Sequence, residues 1–206
     1  MLYYKTIDSS TLDLLKRLLA IPYFSNLYLA GGTSLALQIG HRKSNDLDLF
    51  GMIEADEISI AQALTSLGNI QLIKRTPNIQ IYIVNGVKVD IVNYPYAWIQ
   101  PAYKEDQLRL AGKKDIAAMK LAAITGRGSR KDFIDIYFLL KEFDLQEMVS
   151  FYNEKYQDGS FFLVLKSLTY FDDAELEPQP YMLKKTDWER IKKTIIRSLD
   201  AFLKSN

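Results

Sequence analysis

Two β-branched runs, IQIYIV at 79–84 and VKVDIVN at 87–93, are separated only by Asn85-Gly86. That dipeptide supplies the positive φ values of a type I′ turn, so the chain reverses here into an antiparallel hairpin. A two-stranded hairpin is not stable alone and needs more strands or a helix on one face. Short apolar runs at 27–30, 47–50 and 70–76 read as those strands. Helical patterns lie between them at 33–39, ending at Gly40, and at 56–67, ending at Gly68. Before them, Ser9, Ser10 and Thr11 offer N-caps for a first helix with Leu12, Leu15, Leu18 and Leu19 as its apolar stripe.

After Pro101 the pattern changes. From Lys113 onward the periodicity is helical, with predicted segments at 113–125, 131–143, 145–156, 160–170 and 187–204. The stretch 172–180, with two prolines and four acids, reads as a loop. The expected organisation is an α/β half over 1–105 and an all-helical half over 106–206. Composition narrows the chemistry. The chain of 206 residues carries 26 Lys and Arg against 25 Asp and Glu, which argues against coating nucleic acid by bulk charge but leaves room for a local basic surface. It has no cysteine, so disulfides, thiolate metal sites and a cysteine nucleophile are excluded. The one histidine, His41, excludes a multi-histidine metal site. No signal segment and no apolar run of bilayer-spanning length is visible, and the chain is expected in the cytoplasm, away from membranes.

Three segments carry candidate chemistry. In the first, Gly31-Gly32-Thr33-Ser34 joins a strand to a helix. Glycines let a ligand approach the backbone, and a helix N-terminus with two hydroxyls suits phosphate; a plain strand-turn-helix fits as well. In the second, Asp46 and Asp48 alternate with Leu47 and Leu49. Residues two apart on a strand share a face, so the carboxylates project together while the leucines enter the core. Such a pair repels itself unless a cation lies between, and oxygen-only ligands suit Mg²⁺; the alternative is an exposed edge with solvated acids. In the third, Asp90 sits mid-strand between Val89 and Ile91. Aspartate is depleted there, so it needs either a salt bridge to Lys or Arg or a metal.

The combination resembles the polymerase-β-like nucleotidyltransferase superfamily. The wording of Gly31-Gly32-Thr33-Ser34-Leu35-Ala36-Leu37 and Gly40-His41-Arg42-x-Ser44-x-Asp46-Leu47-Asp48-Leu49-Phe50 is similar to the AbiEii-type nucleotidyltransferases, whose members include toxins of type IV toxin–antitoxin systems. A later block, Lys120-x6-Arg127-x3-Lys131-Asp132-Phe133-Ile134-Asp135, resembles that family's C-terminal motif. The resemblance covers about residues 27–140; no motif stands out in 141–206.

The resemblance implies a mixed-sheet nucleotidyltransferase domain followed by helices that complete an active-site cleft. It implies transfer of a nucleoside monophosphate from an NTP to a hydroxyl, with the 3′ end of tRNA as leading acceptor and an antitoxin as partner. Nucleotidylation of a protein or small-molecule hydroxyl is the runner-up, and a catalytically silent nucleotide-binding member is the third reading. Asp46 and Asp48 would hold two Mg²⁺ ions and Asp90 would complete the second site. Gly31, Gly32, Thr33 and Ser34 would cradle the triphosphate, with Arg42, Arg127 and Lys131 as further nucleotide contacts. Lys120 would meet the departing pyrophosphate, unless its stem runs out to water. Asp132 would join the catalytic set, whereas Asp135, among aromatic and aliphatic neighbours, is expected in a structural ion pair with Lys120, Lys131 or Arg127. His41 reads as a helix-terminus residue without a proton role.

Overall fold

A computed structural model describes residues 1–205. The chain divides into two units. The first comprises Met1–Pro95 and Pro101–Ala111; the second comprises Tyr96–Gln100 and the chain from Gly112 onward.

The first unit contains α1 (Ser9–Leu19), β1 (Tyr28–Leu29), α2 (Gly31–Ile39), β2 (Leu47–Gly51), α3 (Glu57–Thr65), β3 (Ile70–Arg75), β4 (Ile79–Val84), β5 (Val87–Asn93), β6 (Tyr103–Glu105) and β7 (Leu108–Leu110). The strands form one mixed sheet in the order β3-β4-β5-β2-β1-β7-β6. β2 runs parallel to β5 and β1 parallel to β7, while the other pairs are antiparallel. The β4–β5 hairpin turns as its dipeptide requires, with φ of 50° at Asn85 and 84° at Gly86. One sheet face is apolar: Leu47 and Leu49 from β2, Val89 and Ile91 from β5, and Tyr82 and Val84 from β4 join Leu15 and Leu18 of α1 and Ile60 and Leu64 of α3 in a buried cluster. The period-2 alternation of a strand therefore turns Asp48 and Asp90 to the opposite face.

The second unit holds α4 (Lys113–Ile124), α5 (Arg130–Leu139), α6 (Leu145–Lys155), α7 (Phe161–Ser167), α8 (Asp172–Glu175) and α9 (Trp188–Ser205). Its helix starts are chemically specified. Ser129 accepts from the Asp132 N–H, Ser160 from the Leu163 N–H, and Asp144 and Glu147 form a reciprocal capping box. A fully buried ion pair, Lys155 Nζ to Asp115 Oδ1 at 2.7 Å, joins α6 to α4. The other charges and donors around it are satisfied locally: Asp115 accepts the Ile99 N–H at 2.9 Å and the Gln100 N–H at 3.3 Å, and Lys155 donates to the Ala97 carbonyl at 2.8 Å. These bonds explain why residues 96–100 belong to the helical unit although sheet strands flank them in sequence.

Three boundaries differ from the sequence reading. The sheet unit continues past 105 to Ala111, because β7 pairs with β1 through Leu29 and Leu110. The turn between β6 and β7 uses Asp106 and Gln107 at φ of 49° and 67°, with no glycine to announce it. The helix expected from 33 opens at Gly31, where the Ala30 carbonyl accepts the Ser34 N–H at 3.3 Å. The expected loop at 172–180 begins with the single turn α8. No helix among the described residues is long and apolar enough to cross a membrane.

Candidate active site

Asp48 and Asp90 are direct partners in the parallel β2–β5 register. Adjacent strands lie about 4.8 Å apart, so the two carboxylates stand side by side on one sheet face. Asp46 precedes β2 by one residue and is exposed. Its backbone is fixed by Thr33, whose hydroxyl donates to the Asp46 carbonyl at 2.5 Å and also lies 2.8 Å from Ser44 Oγ. Asp90 has the salt-bridge partner that a mid-strand acid calls for. Lys88 Nζ lies 2.6 Å from both of its carboxylate oxygens. The sequence reading did not single out Lys88; its signal was the i, i+2 spacing to Asp90, which puts both on one strand face.

Gly31 lies directly against Asp48. A Cβ built on it would come 2.2 Å from Asp48 Oδ2, and its φ is +63°. Only glycine meets both demands at once. Gly31→Ala is therefore expected to cost about 1–2 kcal/mol of stability from the left-handed backbone and to push the Asp48 carboxylate aside. Chemical denaturation, with a divalent-ion titration beside it, checks this: stability should fall modestly and ion affinity by about tenfold or more. Thr33 and Ser34 are buried, and their hydroxyls are engaged inside the unit, Ser34 Oγ with the Ala111 carbonyl at 3.5 Å and with Gln38 Nε2 at 3.1 Å. Their direct service here is to the loop before β2 and the end of β7. Arg42 is only 2% exposed and donates from Nη1 to the Lys43 carbonyl at 3.1 Å; His41 beside it is wholly buried.

In the second unit the C-terminal motif closes into one polar knot. Lys120 Nζ on α4 lies 2.8 Å from Asp132 Oδ1 and 2.7 Å from Asp135 Oδ2, both on α5. Asp132 and Asp135 share a face because they are three apart on a helix. The expected ion pair of Asp135 is thus with Lys120, and the Lys120 stem does not run out to water, since its side chain is 8% exposed. Ser129 Oγ donates to Asp132 Oδ2 at 2.6 Å, and the mostly exposed Arg127 reaches the same oxygen at 3.4 Å. Burial alone raises the Asp132 pKa. The Lys120 charge and hydrogen bond, the Ser129 hydroxyl and Arg127 together outweigh it and hold the carboxyl below the ordinary aspartate value. Lys131, next along α5, is exposed.

The donor set in the sheet unit suits a hard divalent ion. Asp48 and Asp90 are partners on adjacent strands, and Asp48 packs directly against the Gly31 backbone. Among the described residues no three His, Cys, Asp or Glu side chains are gathered tightly enough to hold an ion together, so this is a two-carboxylate pair with Asp46 alongside on the same chain.

The chain resembles known proteins over nearly its whole length. The family described as nucleotidyl transferase AbiEii toxin, type IV TA system, matches residues 13–204. An uncharacterised protein of Aquifex aeolicus (strain VF5) is 32% identical over 203 residues, covering 94% of this chain and 96% of its own. The crystal structure of JHP933 from Helicobacter pylori superimposes with a TM-score of 0.58 at 19% identity, covering 97% of this chain and 94% of that one. MenT4, a nucleotidyltransferase toxin of Mycobacterium tuberculosis H37Rv, superimposes with a TM-score of 0.60 at 15% identity, covering 92% of this chain and 80% of that one. The motif order, the register of Asp48 and Asp90 and the match over nearly the whole chain lead to one conclusion: this chain is a nucleotidyltransferase and belongs to the AbiEii nucleotidyltransferase toxin family.

Proposed function

We propose that the chain moves a nucleoside monophosphate from an NTP to the 3′ hydroxyl of tRNA, with Mg²⁺ on the Asp48–Asp90 pair and Asp46 beside it, in the cytoplasm, under the control of an antitoxin. The observation that carries the reading is the in-register Asp48–Asp90 pair beside Gly31. Paired carboxylates of this kind suit ions that neutralise a triphosphate and lower the pKa of an attacking hydroxyl. In this reading Asp90 accepts that hydroxyl's proton as the oxygen attacks the α-phosphorus. The bond from that phosphorus to the β-phosphate oxygen then breaks, and pyrophosphate leaves. Gly31 and Gly32 give the phosphates access to backbone N–H groups at the start of α2, and Thr33 keeps the Asp46 segment in position. The near-neutral chain binds its acceptor through a local surface rather than through bulk charge.

The test is incubation of the purified chain with each α-labelled NTP, Mg²⁺ and either total RNA or a cell lysate. Label running with tRNA, and lost in EDTA, is the expected result. Label on protein or on a small molecule would replace the acceptor while keeping the chemistry. No transfer from any NTP to any fraction would sink the reading.

A further inference from the structure

Lys88 places its ammonium nitrogen 2.6 Å from both oxygens of Asp90, and Asp90 stands in register beside Asp48. The lysine precedes Val89, which pairs with Leu47, so Lys88 stands at the level of Asp46, just before the neighbouring strand. Lys88 and Asp90 are both on the polar face of β5, and their side chains are 40% and 17% exposed. A monovalent cation thus occupies the very oxygens that a divalent ion would use.

We infer that Lys88 is a resident counter-cation for Asp90, displaced when a divalent ion binds. The inference rests on the reading of this pair as an ion site. It follows from elementary electrostatics. Two neighbouring carboxylates repel unless a cation lies between them. Before any metal arrives, a lysine two residues from Asp90 supplies a cation to Asp90 from the same strand. The same ammonium then opposes the incoming ion twice, by holding its ligand oxygens and by repelling its charge. Lys88 therefore sets the threshold concentration at which the site loads. A released lysine head remains on the same face, next to the phosphates that the ion would bring with it.

The experiment is a Mg²⁺ titration by calorimetry, without nucleotide, on the full chain, on Lys88→Met and on Lys88→Arg. Thermal melts in EDTA and in saturating Mg²⁺ accompany it. Lys88→Met should bind Mg²⁺ about tenfold more tightly than the parent, melt lower in EDTA and gain more from Mg²⁺. Lys88→Arg keeps the charge and should stay within about threefold of the parent. Unchanged or weaker binding by Lys88→Met overturns the inference, as does equal tightening by Lys88→Arg. Failure of all three proteins to bind Mg²⁺ overturns it too, because no ion then competes for Asp90. The measurement needs no turnover, so a chain that behaves as expected here yet transfers no nucleotide would refute the proposed acceptor chemistry and leave the role of Lys88 standing.

Discussion

Asp48→Asn should lower nucleotidyl transfer by at least about a thousandfold while leaving the fold and its melting temperature close to the parent's. The rate loss follows from position. Asp48 is the carboxylate that faces both Asp90 and the Gly31 backbone, and an amide there supplies one weak carbonyl donor to an ion where a carboxylate supplies a charge. The small stability effect follows from the surrounding charges. Removing one of two like charges relieves repulsion, but Lys88 already neutralises part of it, so the gain is small. Asparagine is nearly the same size, and the core-facing neighbours Leu47 and Leu49 are untouched. Single-turnover kinetics with labelled NTP, beside melts in EDTA, checks both halves. A marked drop in melting temperature in EDTA would show that Asp48 is part of the scaffold; near-parental turnover would remove it from the chemistry.

How much of this site was legible depended on whether a residue's partners were near it in sequence. That Asp48 and Asp90 turn away from the core could be read from strand alternation, because a period of two fixes which side chains share a face, whereas Asp46 lies one residue before β2. That β2 and β5 are parallel neighbours, bringing Asp48 opposite Asp90, is a tertiary fact that no local pattern encodes. Lys88 was visible but ambiguous: a lysine in a half-exposed strand is ordinary until the acid beside it needs a cation. β6 and β7 escaped because three-residue strands carry too little alternation and their turn uses Asp106 and Gln107. The Asp115–Lys155 pair escaped for a different reason. Its partners are 40 residues apart, and each looks like a solvated charge on an amphipathic helix until both are found buried. The Lys120 knot lies between: the motif named its members, and helical spacing put Asp132 and Asp135 on one face, but only packing shows a single ammonium serving both.

That knot predicts a large stability effect. Lys120→Ala should destabilise the helical unit by about 3–5 kcal/mol, the usual cost of leaving a buried charge without its partner. Here two carboxylates lose it, with Asp132 and Asp135 each at most 1% exposed. Arg127, three-quarters exposed and 3.4 Å from Asp132, compensates little. The pH dependence has a definite sign. In the parent the folded Asp132 pKa lies below the unfolded value of about 3.9, so its contribution is present above that value and is lost as pH falls through the folded one. Without Lys120 the burial of Asp132 goes largely unopposed, its pKa rises, and the acid loss of stability should begin at higher pH. Melts of parent and variant between about pH 3 and 7 check this, and superimposable curves would refute it. The same packing changes how a loss of activity at Lys120 must be read, because Lys120→Ala would impair turnover merely by loosening α4 against α5. Lys120→Met with Asp135→Asn removes one cation and one anion together, keeps the side-chain volumes close, and should recover more than half of the lost stability. If that double variant folds like the parent and still transfers nucleotide at near-parental rate, the lysine serves only the fold. If it folds and its turnover stays down by orders of magnitude, the ammonium also acts on the departing pyrophosphate, where charge grows as the bond breaks.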